Sequence, residues 1–89
     1  MIEITLYPAF IRAFKKCTRH NPNLKSEIRD KIEIFKINPF DSRLKTHKLS
    51  GKLQDLYSFS LDYDYRIIFS FFEKEKVIFE NIGKHDEVY

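Results

Sequence analysis

Four basic side chains and one histidine lie together in a stretch that contains no acidic residue, between Ser42 and Gln54. The ionisable members of this stretch are Arg43, Lys45, His47, Lys48 and Lys52. Arginine and lysine bind phosphate oxygens, and histidine exchanges a proton near neutral pH because its ordinary pKa is about 6.5. The combination is typical of a site that binds and cleaves a phosphodiester.

Two further places in the sequence fit the same chemistry. Arg66 interrupts an otherwise apolar segment, and the segment after Gly83 places Lys84, His85 and Tyr89 close together. RNA can be cleaved when a base removes the proton of the ribose 2′-hydroxyl and an acid protonates the 5′-oxygen that leaves. Arg66, as a bidentate phosphate ligand, would stabilise the crowded phosphorane that forms between those two steps.

Each of these residues also has an ordinary structural explanation. Arg66 would form a cross-strand ion pair, for which the acidic candidates are Asp62, Asp64 and Glu80. His47 would be a surface side chain, and Tyr89 would be a terminal aromatic anchor. Taken singly, no residue decides between the two explanations.

No general catalytic motif accompanies these residues. The sequence contains no phosphate-binding glycine loop, no GxSxG, no HExxH and no CxxC. It has one cysteine and three histidines, which rules out the multi-cysteine zinc patterns. We therefore expect neither a metal nor an organic cofactor. Cys17 falls on an apolar helical stripe and is expected to be a small core residue.

The elements that must position the candidate residues begin with a strand and two helices. The hydrophobic pattern predicts a strand over residues 2–7 and a helix over residues 8–20. Asn21, as N-cap, and Pro22, in the first turn, begin a second helix. This helix ends at Asn38, because the residue before a proline disfavours the helical conformation. The short connection predicts an antiparallel helical hairpin.

Strands dominate the second half of the sequence. Residues 40–53 lack a clear period and are predicted to form a long loop or a short irregular strand. β-Branched and aromatic residues predict three strands, over residues 56–61, 65–72 and 77–82, and Gly83 is expected to end the last one. The order β-α-α-β-β-β predicts an α+β fold in which the helical hairpin packs on one face of a mainly antiparallel sheet.

Length and charge narrow the class of protein further. The 89 residues are expected to form a single domain, residues 1–89. Residues 1–52 carry 12 Lys and Arg against 5 Asp and Glu, whereas residues 53–89 carry 4 against 8. The basic half suggests a polyanionic partner, with a solvated, salt-bridged helix surface as the alternative. No apolar run approaches the roughly 20 residues of a membrane helix, so we expect a cytoplasmic protein without a membrane partner.

Three segments together resemble one known family. They are LKTHKLSG at residues 44–51, DYRIIF at residues 64–69 and IGKHDEVY at residues 82–89. In this order, and with the predicted order of elements, the chain resembles the RelE/ParE toxin superfamily, nearest its RelE and YafQ-like branch. The resemblance covers nearly the whole chain and implies a RelE-like fold.

The resemblance implies a role for several residues. His47 corresponds to a YafQ-like histidine that acts as general base or phosphate contact, and Arg66 to the arginine that stabilises the scissile phosphate. His85 corresponds to a catalytic histidine, and Tyr89 to an aromatic residue that contacts the substrate. The expected phosphate contacts are Arg43, Lys45, Lys48, Lys52 and Lys84, with Asp64 and Tyr65 as supporting residues. A further YafQ-like histidine, which precedes the aspartate, is absent here, so two acid–base histidines remain.

The resemblance also implies a function. It implies the toxin of a type II toxin–antitoxin pair, a metal-independent endoribonuclease that cleaves mRNA on the ribosome and is neutralised by an antitoxin protein. The expected partners are therefore the antitoxin, the ribosome and mRNA. Two alternatives stay open: a ParE-like gyrase inhibitor on the same fold, and a degenerate relative that only binds an antitoxin. Which histidine acts as base and which as acid also stays open.

Overall fold

The computed structural model of the chain describes residues 1–51, 55–62 and 64–88. Within these ranges the α-helices and strands are, in chain order, β1 (Glu3–Leu6), α1 (Pro8–Thr18), α2 (Pro22–Ile37), β2 (His47–Lys48), β3 (Tyr57–Ser60), β4 (Tyr65–Glu73), β5 (Lys76–Lys84) and α3 (His85–Val88). A short 3₁₀ helix at Ser42–Leu44 precedes β2. The predicted order of helices and strands is confirmed, and the predicted loop contains a strand of two residues.

The strands form one sheet in the order β1-β5-β4-β3-β2. The pairs β2–β3, β3–β4 and β4–β5 are antiparallel, whereas β1 pairs with β5 in parallel. The mainly antiparallel sheet predicted from the sequence is therefore confirmed. The strands β4 and β5 form the long central hairpin, and the candidate residues Tyr65, Arg66 and Lys84 lie at the end of it where β4 begins and β5 ends.

The helices begin where the prolines predict, but α1 ends earlier than expected. The Asn21 side chain accepts a hydrogen bond from the Leu24 backbone N–H at 3.1 Å, which caps α2. Because Asn21 precedes a proline, it adopts φ −138° and ψ 76°. The chain must leave the helical conformation before that point, so α1 ends at Thr18. None of the helices in the described ranges is long and apolar enough to cross a membrane.

A cluster of phenylalanines fills the space between the helical hairpin and the sheet. Phe35 of α2 lies at its centre, fully buried, with ring centroids 5.1, 4.9 and 5.3 Å from Phe59, Phe69 and Phe79. Such aromatic pairs contribute about 0.5–1.5 kcal/mol each beyond the area that they bury. The predicted packing of the helices on one face of the sheet is confirmed by these contacts.

Strand β5 does not end at Gly83, so that prediction was wrong. Gly83 pairs with Arg66 and Lys84 pairs with Tyr65, and α3 begins only at His85. A glycine inside a strand costs about 0.5–1 kcal/mol relative to alanine. The cross-strand hydrogen bonds to β4 outweigh this cost, and no local sequence pattern reveals them. The longer strand brings the segment around His85 to the beginning of β4.

Candidate active site on the open face of the sheet

Arg66 lies on the face of the sheet that is turned away from α1 and α2, here called the open face. Its chain neighbours Tyr65 and Ile67 pack against the helix-covered core, and successive side chains of a strand alternate between faces. Arg66 is half-buried and is absent from the core cluster. Alternation along β4 therefore places the Arg66 side chain on the open face.

The described cross-strand neighbours of Arg66 are small, and no charge partner is found among the side chains that the structure describes. Its cross-strand neighbours are Ser60 on β3 and Gly83 on β5. The guanidinium donates one hydrogen bond, from Nη1 to the Tyr65 carbonyl at 3.1 Å. Among the residues that the structure describes, no carboxylate lies within 4.0 Å of this guanidinium. The guanidinium therefore keeps donors for an anionic ligand.

Glu80, one of the acidic residues considered as a partner for Arg66, binds elsewhere. A β-bulge in β5 leaves Glu80 without a cross-strand partner, because Ile68 pairs with Asn81 and Phe69 with Phe79. The Ser70 hydroxyl donates to the Glu80 carboxylate at 2.6 Å. The sequence carries no signal for this pair, since the bulge depends on the register between two strands.

His47 shares the open face with Arg66. It pairs with Ser58 of β3, which pairs in turn with Ile68 of β4, so the three side chains point to the same side. His47 and Arg66 are thus separated by two strand spacings of about 4.8 Å and by two residues along the strand. The His47 ring is exposed, and its Nδ1 lies 3.3 Å from the Lys45 carbonyl.

Lys48, one of the expected phosphate contacts, lies on the other side of the sheet from Arg66. Lys48 pairs with Tyr57, whose ring packs against the helix-covered core. The register between β2 and β3 decides this, because a shift of one residue exchanges the faces. Lys45 immediately precedes this part of the chain and has a positive φ of 51°, with an exposed side chain.

Arg43 is held by a carboxylate, in contrast to Arg66. Its Nε and Nη2 donate to the two oxygens of Asp41 at 3.0 and 2.9 Å, and its backbone N–H donates to Oδ1 at 2.9 Å. These hydrogen bonds lower the pKa of Asp41 to about 2 and raise the pKa of Arg43. The pair closes the turn before β2, and the charge of Arg43 is locally balanced.

His85 lies at the end of the sheet, next to the beginning of β4. Its backbone N–H donates to the carbonyl of Asp64 at 3.2 Å, and Asp64 itself adopts a positive φ of 68°. His85 follows Lys84, which turns to the helix-covered side and holds its Nζ 5.8 Å from the centre of the Tyr65 ring. The backbone of His85 is therefore two residues beyond Gly83, the partner of Arg66.

Two of the candidate residues, Lys52 and Tyr89, lie outside the described residues, and their roles stay predictions. Of the others, the structure brings His47 and Arg66 to one face and His85 to its edge. Lys48 lies on the opposite face from these residues, and Arg43 forms an ion pair with Asp41. In the described part of the chain, no group of three or more His, Cys, Asp or Glu side chains is arranged to hold a metal ion.

Several solved toxin structures share this fold. YafQ from E. coli strain BL21(DE3) matches with a TM-score of 0.81 at 14% identity, over 100% of this chain and 99% of that chain. A YoeB/ParE toxin from Agrobacterium tumefaciens matches with a TM-score of 0.80 at 15% identity, over 94% and 99% of the two chains. A chain of the E. coli DinJ–YafQ toxin–antitoxin complex matches with a TM-score of 0.75 at 15% identity, over 99% and 97%.

These similarities concern the fold. No family model and no curated protein matches the sequence. The agreement over nearly the full length of each chain confirms that the fold is that of the RelE-like toxins. The backbone is similar to that of YafQ and, to nearly the same degree, to that of the YoeB/ParE toxin.

Proposed function

We propose that this chain, with the backbone of a RelE-like toxin, is the toxin of a toxin–antitoxin pair and cleaves mRNA on the ribosome. The observation that carries the proposal is the placement of Arg66 in the sheet. An arginine on the face of a sheet, flanked by Ser60 and Gly83 and without a described carboxylate partner, suits the binding of an anionic group better than it suits stability.

The proposed reaction uses the residues around Arg66. One histidine removes the proton from a ribose 2′-hydroxyl, whose oxygen attacks the adjacent phosphorus. Arg66 stabilises the negative charge of the phosphorane, and the second acid–base group protonates the departing 5′-oxygen. The products are a 2′,3′-cyclic phosphate and a 5′-hydroxyl. His47 and His85 are the candidate acid–base groups, because one shares the face of Arg66 and the other lies at its edge.

The remaining candidate residues would bind the RNA around this centre. Lys84 at the end of β5 and Lys45 before β2 are exposed and would contact phosphates, as would Lys52. Tyr89 would contact a base. A domain of this size does not enclose an RNA strand, so the ribosome would supply the positioning of the substrate in the cytoplasm.

An antitoxin protein is the second proposed partner. The matching YafQ chain was solved in complex with DinJ as a toxin–antitoxin pair. The basic first half of the present chain would attract an acidic or amphipathic segment that folds on binding and covers Arg66. We expect the product of a neighbouring gene to co-elute with this chain at moderate salt. Separate elution would contradict this part of the proposal.

Primer extension on mRNA during induced expression tests the proposed reaction. We expect new 5′ ends within translated messages, and their loss with Arg66→Ala. Arg12→Ala is the matched control, because Arg12 is an exposed arginine on α1, on the helix-covered side. Its cleavage pattern should equal that of the unmodified chain. DNA damage without new 5′ ends would overturn the nuclease and favour the ParE-like gyrase inhibitor, the alternative that the sequence leaves open.

A further inference from the structure

A cleft of about 480 Å³ lies between α1 and the end of β5, here called the α1–β5 cleft. Lys16 and Cys17 line it from α1, Tyr65 and Lys84 from the sheet, and Val88 from α3. Tyr65 packs against the helix-covered core, and Lys84 holds its ammonium group over the Tyr65 ring. The cleft is therefore on the opposite side of the sheet from Arg66.

The lining of the α1–β5 cleft suits a nucleotide. Two lysines from different elements line it, and none of the lining side chains that the structure describes, which do not include those of Asp86 and Glu87, is acidic. Lysines bind the phosphates of single-stranded nucleic acids, and aromatic rings stack on their bases. Tyr65 is half-buried, so one part of its ring is fixed by packing while another part faces the cleft. Small and apolar residues complete the surface.

The position of the cleft connects it with the proposed active site. Tyr65 and Arg66 are consecutive residues of β4 and point to opposite faces. Their partners on β5 are Lys84 and Gly83, which are also consecutive and also lie on opposite faces. His85 lies at the end of the sheet where β4 begins and β5 ends. An RNA strand that crosses this end beside His85 therefore has Arg66 on one side and the α1–β5 cleft on the other.

We propose that the α1–β5 cleft is a second RNA subsite, which holds a nucleotide next to the phosphate that Arg66 binds. Lys16 and Lys84 would contact its phosphate, and Tyr65 would contact its base. The inference rests on the proposed function for the identity of the ligand as RNA. It adds Lys16, a residue of α1, to the residues that bind substrate.

A binding experiment with a matched pair of lysine variants tests the cleft. The probe is a fluorescently labelled RNA hexanucleotide with 2′-O-methyl groups throughout, which lacks the attacking hydroxyl and so is not cleaved. Lys16→Ala removes a lysine that lines the cleft, whereas Lys15→Ala removes an exposed lysine of the same helix that does not. Both variants lose one charge, so long-range electrostatics change equally.

We expect Lys16→Ala to weaken binding about tenfold at low salt. We also expect it to reduce the slope of log affinity against log salt by about 0.7, the loss of one phosphate contact to a single strand. Lys15→Ala should leave both quantities near those of the unmodified chain. Equal effects of the two variants, or no binding by the unmodified chain, would overturn the second RNA subsite.

The single cysteine of the chain reports directly on occupancy of the cleft. Cys17 lines it and is partly exposed, so a thiol reagent should alkylate it slowly. Saturating hexanucleotide should slow this reaction several-fold, and it should do so less at the same concentration in Lys16→Ala. An unchanged alkylation rate with bound RNA would place the RNA elsewhere and overturn the inference.

Three outcomes distinguish a failure of this inference from a failure of the proposed function. If mRNA is cleaved during translation but Lys16→Ala behaves as Lys15→Ala, the subsite is wrong and the nuclease stands. If Lys16→Ala weakens only the complex with the antitoxin, the cleft binds protein and the subsite is again wrong. If RNA occupies the cleft while no mRNA is cleaved, the cleft stands as an RNA site and the proposed reaction fails.

Discussion

The two faces of the sheet are built from the same strands, yet they carry different kinds of residue. On the helix-covered face, Phe59, Phe69 and Phe79 are fully buried against Phe35. On the open face, the register places Arg66 between a serine and a glycine, and His47 opposite Ser58. The difference teaches that the aromatic core and most of the stability lie on one face, whereas the other combines a few buried residues, such as Ile68, with polar residues that do little for folding.

The largest expected effect concerns activity at the edge of the open face. If His85 transfers a proton, His85→Ala should lower the rate of mRNA cleavage by about 10²–10⁴-fold. The rate is measured by primer extension after expression is induced. His20→Ala is the matched control, since His20 is exposed in the turn between α1 and α2, and the variant should cleave at the unmodified rate. An unchanged rate in His85→Ala would remove this residue from the proposed reaction.

The next effect compares the same substitution on the two faces. Phe35→Ala should lower the free energy of unfolding by about 3–5 kcal/mol, because it opens a cavity among three other rings. Phe72→Ala, at a position that is 52% exposed on the open face of β4, should change it by less than about 0.5 kcal/mol. Urea denaturation measures both. Similar losses in the two variants would contradict the assignment of stability to one face.

A smaller effect concerns a polar contact on α2. The Glu27 carboxylate accepts a hydrogen bond from the Asp62 backbone N–H at 2.7 Å. Burial and the neighbouring Asp62 carboxyl raise the pKa of Glu27 above its ordinary value. Because a raised pKa favours the protonated folded form, the contribution of Glu27 to stability is present at low pH and is lost as the pH rises through the folded value.

Glu27→Gln should remove this dependence while it keeps an oxygen for the Asp62 N–H. We expect the melting temperature of the variant to rise relative to that of the unmodified chain as the pH is raised from below the ordinary pKa of glutamate to neutrality. Thermal unfolding at several pH values measures the difference. A constant difference between the two proteins over this range would show that Glu27 titrates normally.

The smallest effect sharpens the contrast between a paired and an unpaired arginine. The carboxyl of Asp41 should titrate with a midpoint of about 2, because Arg43 donates hydrogen bonds to it. The stabilisation from this pair is present above the ordinary pKa of Asp41 and is lost as the pH falls through about 2. An NMR titration measures the midpoint, and Arg43→Ala should return it toward 3.8. An Asp41 midpoint that is the same in the unmodified chain and in Arg43→Ala would contradict the pairing.

The helices and the placement of Arg66 could be predicted because their signals are local. Asn21 and Pro22 fix the beginning of α2 through the conformations that these residues allow, and alternation around Arg66 sets its face. The extension of β5 through Gly83 and the placement of Lys48 could not be predicted, because each depends on register with a strand distant in sequence. The basic residues between Ser42 and Gln54 suggested one phosphate site. In the structure, the pairing of β2 with β3 and the ion pair of Arg43 with Asp41 separate these residues from one another.

The parallel pairing of β1 with β5 has a consequence for how the molecule acquires its activity. Glu3 pairs with Lys76 and Leu6 with Phe79, with both long helices and three strands between them. Such non-local pairing forms late in folding, because the entropy of closing the loop must first be overcome. During synthesis, the sheet is therefore incomplete until β5 has left the ribosome. His85 follows β5 directly in the chain, so the proposed site around Arg66 and His85 would stay incomplete until β5 has been synthesised and has paired with β4.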